Sequence, residues 1–182
     1  GAAGADRSIP VRLGLPVVRA VCVLDLRGEL VGVAQLGDVR LGEPDQQGGL
    51  MGVYGITSVT GSPGVTTTAV AWALHSARET LLVEADAAGG SAVLGGLLRG
   101  TVPFERSVLS VPSRPSHRTV LEQLTSQQVP LTSDSGRSFI PGIPEHHQAR
   151  ALVGEWTDIC QALQSWSARA DIDVVIDLGR VT

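Results

Sequence analysis

Residues 59–71 read Val-Thr-Gly-Ser-Pro-Gly-Val-Thr-Thr-Thr-Ala-Val-Ala, and this stretch decides the fold. Upstream of it, Gly52 to Val59 is short and carries β-branched residues, the texture of a strand. Downstream, Ala69, Val70, Ala73 and Leu74 fall on one side of a helix predicted over about residues 67–78. A Gly/Pro/Thr turn joins the two. Such a turn delivers a helix N-terminus, with unpaired N–H groups and a positive dipole end, to the carboxyl edge of a sheet. An anion, above all a phosphate, is the natural guest there. Gly61 and Gly64 let the backbone wrap closely without a Cβ in the way. The Thr66 hydroxyl stands where a phosphate-binding loop meets Mg²⁺. A strand–turn–helix junction with no ligand is the alternative reading of the same residues.

Two further strand ends support the ligand reading. Leu81 to Ala85 is a nearly continuous apolar run, as in a strand buried on both faces, and it places Glu84 and Asp86 at its end. Ile172 to Leu178 is a second such strand, and Asp177 closes its apolar core. An acid in that position is suited to holding Mg²⁺, usually through water.

Between these strands the signals alternate. Residues 88–98 read as a short helix weakened by four glycines, and residues 100–115 as a proline-containing loop. Ser116 is a candidate cap for a helix running to about Gln127. Phe139 and Ile140 fit a short strand. Pro144 suits the first turn of a long helix over about 145–169, whose apolar stripe includes Leu152, Val153, Trp156, Ile159, Cys160 and Leu163. That stripe is read as core packing. The order strand, helix, strand, helices, strand, helix, strand predicts an α/β fold with a largely parallel sheet.

Ahead of this unit, residues 1–16 and 42–50 read as linkers, and Val17 to Leu26 with Leu30 to Leu36 as a β-hairpin. The expected division is therefore a linker and hairpin appendage over 1–48 and the α/β domain over 49–182.

Composition narrows the chemistry. Of the 182 residues, 43% are apolar and only 3% aromatic, so the core is aliphatic and wholesale disorder is excluded. All 14 basic residues are Arg and there is no Lys, so a mechanism that needs a lysine cannot run on this chain alone. The net charge of −4 argues against a protein that coats nucleic acid. Arginines between 99 and 150 outnumber the acids there, which leaves DNA or an acidic partner open, although scattered solvated charge explains them better. Cys22 and Cys160 each sit in an apolar stretch and are expected as free thiols, in keeping with a cytoplasmic protein. No run approaches the ~18 apolar residues of a membrane span. His146 and His147 are adjacent, so they point in different directions on a helix and suit a solvated helix end better than a metal site. Neither Ser62 nor Ser91 lies in a nucleophile-elbow pattern.

The stretches 59–71, 81–90 and 172–178 together resemble the ParA/MinD group of P-loop ATPases, over about residues 51–182. The family's loop reads xKGGVGKTT. The family's signature lysine falls on Thr60, and its ordinary P-loop lysine on Val65. The family's LLVDxDPQGN is similar to LLVEADAAGG, and its Walker B strand to IDVVIDL. The resemblance implies a Rossmann-like P-loop domain that binds ATP and Mg²⁺. Gly61, Ser62, Gly64, Val65, Thr66 and Thr67 would cradle phosphates, and Thr66 and Asp177 would hold the metal. Asp86 would position the attacking water, with Glu84 beside it. It also implies a homodimer that forms on nucleotide binding and acts with a protein partner. The loop GSPGVTTTA resembles lysine-lacking forms among actinobacterial chromosome-partitioning paralogues and among pilus-assembly localisation proteins.

The departures bear on activity. Losing a charge-assisted contact worth roughly 1.5–3 kcal/mol weakens nucleotide binding on the order of 10- to 100-fold. Hydrolysis, which depends more steeply on such charges, is expected to suffer further. Arg180 and Arg78 are the nameable substitutes. The leading expectation is a degenerate nucleotide switch in chromosome partitioning or cell-pole positioning. The alternative is a non-hydrolysing scaffold that localises a pilus or secretion assembly. The sequence ends five residues after Asp177, where the family's domain continues, so the expectation is either a truncated domain or a sheet edge covered by another chain or by the hairpin at 17–36.

Overall fold

The computed structural model describes residues 52–58, 64–102, 105–111, 119–133 and 136–180, and the strand backbone of Val21–Leu24 and Leu30–Ala34. Seven strands form one sheet: β1 Val21–Leu24, β2 Leu30–Ala34, β3 Val53–Ser58, β4 Thr80–Glu84, β5 Val129–Pro130, β6 Arg137–Ile140 and β7 Asp173–Arg180. Their order is β2-β1-β3-β7-β4-β6-β5. The inner four, β3, β7, β4 and β6, are parallel, and β1, β2 and β5 run antiparallel to their neighbours. The expected α/β fold with a mostly parallel sheet is therefore present.

Three α-helices flank the sheet: α1 Val65–His75, α2 Val120–Ser126 and α3 Trp156–Ala170. Strand alternation sorts the core into two layers. Leu81, Val83, Val174 and Ile176 face Ile159 and Leu163 of α3 on one side. Ile56, Leu82, Phe139 and Val175 face Val65, Ala69 and Ala73 of α1 on the other. A strand covered on both faces reads as a nearly continuous apolar run, as Leu81–Val83 do in the fully buried β4.

The hairpin expected before residue 49 is present as β1 and β2, and β1 pairs with β3. The hairpin thus covers the sheet edge beside β3, one of the coverings expected. At the other edge, β5 is two residues long and ends in exposed Pro130, which blunts it against further pairing.

Two local expectations need correction. The long helix over 145–169 is broken into a 3₁₀ segment, His146–Leu152, and α3. The turn between them contains Gly154, the poorest helix former in the stretch after Pro144. It turns Val153 of the expected apolar stripe out to 74% exposure, whereas Leu152, Ile159 and Leu163 are buried as expected. Ser116 lies outside the described residues. The helix there begins at Val120 and is capped by Thr119, whose hydroxyl accepts from Glu122 N while the Glu122 carboxylate accepts from Thr119 N.

At the amino ends of the strands, Arg78 ties α1 to α3. Its guanidinium pairs with Asp171, which ends α3 in a left-handed conformation at φ 55°, and lies 3.6 Å from Asp173 at the start of β7. Arg78 is therefore at the end of the sheet opposite the start of α1, and it does not supply the positive charge expected of it there.

Candidate functional site

The carboxyl ends of β3, β4 and β7 meet at one edge, where the register places Asp177 beside Ile56 of β3 and beside Glu84 of β4. Side chains alternate along a strand, so Asp177 follows Val175, and Glu84 follows Leu82, onto the α1 face of the sheet. Both carboxylates are nearly sealed from solvent, at 2% and 4% exposure. A cavity of about 350 Å³ opens here. Its polar lining is Thr66, Glu84, Asp86, Ser91 and Asp177, and glycine and alanine complete it.

Thr66 sits in the first turn of α1, and its hydroxyl hydrogen-bonds to the Asp177 carboxylate. Gly179 N donates to Asp177 Oδ1 at 3.0 Å. Burial pushes Asp177 above the ordinary carboxylate range. The Thr66 and Gly179 hydrogen bonds oppose that shift, and the nearby Asp86 charge adds to it.

Asp86 follows β4, and its Oδ1 accepts from Ala88 N at 2.8 Å. Its carboxylate lies against the Cα of Gly179, whose φ of 63° and lack of a Cβ make the contact possible. A Cβ there would fall 2.2 Å from Asp86 Cγ.

Glu84 is held from three places. Ser91 Oγ donates to its carboxylate, Val93 N donates at 3.4 Å and Gly142 N at 3.3 Å. Burial pushes Glu84 up, against these three hydrogen bonds and together with the Asp177 charge. Gly90 N also bonds to the carbonyls of Ile143 and Pro144, so the segment after β4 is pinned to the one after β6. Glu84 thus organises a cavity wall. The sequence placed it beside the site, but the donors at Ser91 and Gly142 come from segments with no motif.

The residues expected to form a phosphate cradle divide into three groups. Gly61 and Ser62 lie outside the described residues, as does the rest of 59–63. Gly64, at φ 124°, leads directly into α1, and Thr67 lies in its first turn. Val65, at 4% exposure, belongs to the core layer beneath α1. The position that the resemblance aligns with a lysine is therefore built as core.

Among the described residues no group of three or more His, Cys, Asp or Glu is arranged to hold a metal. A hydroxyl and a carboxylate, Thr66 and Asp177, nevertheless fit Mg²⁺, which takes one or two protein oxygens and leaves the rest to water and phosphate. His147 pairs with Glu145 at 3.2 Å in an exposed position, as expected of a solvated helix end. Cys160 is a free thiol, and burial raises it above the ordinary thiol range. No helix among the described residues is long and apolar enough to cross a membrane.

No family model matches the chain, and no curated protein or solved structure matches it either.

Proposed function

We propose that the chain is a nucleotide-binding switch of the ParA/MinD type with a degenerate phosphate loop. One observation carries this reading. Thr66, at the start of the helix that follows β3, is hydrogen-bonded to Asp177, at the end of the adjacent parallel strand, inside a cavity at the carboxyl edge of the sheet. In this reading Gly61, Ser62, Gly64, Val65, Thr66 and Thr67 cradle the phosphates of ATP through backbone N–H groups and hydroxyls. Thr66 and Asp177 hold Mg²⁺, which supplies positive charge to the β- and γ-phosphates. Asp86 orients a water on the same side. Binding favours a homodimer in the cytoplasm, and the dimer positions a protein partner in chromosome partitioning or cell-pole organisation.

Burial of Val65 supports slow hydrolysis, because no cation stands at that position to stabilise charge developing on the phosphoryl group. The same observation favours, as the second reading, a scaffold that localises a pilus or secretion assembly without turnover.

Calorimetry with Mg²⁺·ATP tests the site on this chain and on Asp177→Ala. The switch reading expects binding that the substitution abolishes, and light scattering then shows a nucleotide-dependent doubling of mass. Failure of the unsubstituted chain to bind leaves the scaffold.

A further inference from the structure

A second cavity, of about 520 Å³, opens at the amino edge of the sheet, away from the site described above. It lies between the carboxyl-terminal half of α3, which contributes Trp166 and Ala170, and the amino ends of β4 and β6. Strand alternation decides which side chains face it. Leu81 and Ile140 belong to the layer beneath α3, so Glu79 and Ser138, two residues before them, lie on that same face. The ladder continues far enough to fix Glu79: Thr80 N donates to the Gly136 carbonyl and Asp173 N to the Glu79 carbonyl, both at 2.9 Å. Gly136 makes room for the acid, because a Cβ there would fall 3.1 Å from Glu79 Cγ.

The arginines nearest to Glu79 in the ladder turn the other way. Arg137 precedes Phe139 of the α1 layer by two residues, and its Nη2 donates to the Ser76 carbonyl at the end of α1 at 3.0 Å. Arg78 pairs with Asp171 and Asp173. Arg106 is held by the Gln128 carbonyl and does not line the cavity. Among the described residues Glu79 enters no ion pair. Trp166, half-buried against the α3 layer, gives the cavity an aromatic wall. Gln128 Nε2 donates to Ser138 Oγ at 2.5 Å, which leaves Gln128 Oε1 as an acceptor.

We propose that this cavity binds a small organic cation, an amine with an apolar body, between the Glu79 carboxylate and the Trp166 indole. The carboxylate attracts the charge, and the negative face of the indole adds to that attraction. Ala170, Ile172 and Pro130 meet the apolar body. A bare metal ion fits poorly, since one carboxylate supplies too few oxygens. The proposal does not rest on the nucleotide reading, because the two cavities stand at opposite ends of the strands.

The test is an NMR titration of the ¹⁵N-labelled chain at neutral pH with benzylammonium and with its uncharged isostere, benzyl alcohol. The chain has three tryptophans, and the indole N–H signal of Trp166 is the one missing from Trp166→Phe. The expected result is a saturable shift of that signal, with benzylammonium preferred over the alcohol by at least about fivefold. Glu79 is exposed, so Glu79→Gln keeps the fold, as its unchanged core signals verify, and it is expected to abolish the preference. No saturable shift at Trp166 overturns the proposal, as does a shift confined to Trp72 or Trp156. A preference below fivefold, or one retained in Glu79→Gln, overturns it too. None of these outcomes bears on Mg²⁺·ATP binding at the other edge.

Discussion

Strand β7 carries two buried aspartates, one at its amino end and one beside the last residue of β4, and the two live in different surroundings. Asp173, at the amino edge, is pushed up by burial and faces Arg78, whose charge offsets part of that cost. Asp177, at the carboxyl edge, is also pushed up by burial, but it faces a hydroxyl, a backbone N–H and a second acid. Among the described residues, one aspartate of this strand thus faces a counter-charge and the other does not. An uncompensated buried carboxylate costs stability, and proteins tolerate that cost where a ligand completes the site. The contrast separates a clamp at one edge from an edge where a carboxylate lines a cavity.

The comparison can be broken most severely by placing a cation at the carboxyl edge. Val65→Lys restores the charge that the aligned motif would carry, but the position is core, so the substitution is expected to cost about 3–5 kcal/mol of stability. Urea denaturation measures it, and a variant that keeps its stability shows that this side chain reaches the cavity instead. The converse change removes the cation from the clamp. Arg78→Met leaves Asp173 buried without a counter-charge and should lower the melting temperature. The effect is smaller than that of Val65→Lys, because Arg78 is partly exposed and its charge is screened.

Asp177→Asn sharpens the contrast in the opposite direction. Removing an uncompensated charge while keeping an oxygen for Thr66 and Gly179 should stabilise the chain by about 1 kcal/mol at neutral pH and abolish Mg²⁺·ATP binding. Paired unfolding and calorimetry curves read both effects. The smallest effect concerns Glu84. Its pKa is higher in the folded state than in the unfolded chain, so the folded protein keeps the proton that the unfolded chain releases. Stability therefore falls as pH rises from the ordinary glutamate range through the raised value, and Glu84→Gln flattens that slope. Denaturation at a series of pH values from about 4 to 7 checks it.

The parallel core of the fold was legible because burial on both faces leaves a plain mark. Runs such as Leu81 to Ala85 and Ile172 to Leu178 have no place but the middle of a covered sheet. The helix break at Gly154 was not legible. The apolar stripe continues across it in register, and only the docking of the preceding 3₁₀ turn makes the interruption pay. At the site, Asp177, Asp86 and Thr66 could be named because each ends a strand or begins a helix. The donors to Glu84 could not, because Ser91 and Gly142 reach it through loop geometry. Arg78 could be named, and its place in the connection from α1 to β4 puts it at the amino edge, where it meets Asp171 at the end of α3.

Thr57 adds nothing to the cavity lining, yet its hydroxyl donates to the carbonyl of Gly179 at 3.1 Å. Gly179 in turn anchors Asp177 through its N–H and abuts the Asp86 carboxylate through its Cα. These four residues form a short mechanical linkage from the end of β3, across β7, to the segment beyond β4. The placement of the Asp86 and Asp177 carboxylates is thereby tied to β3 through a single glycine.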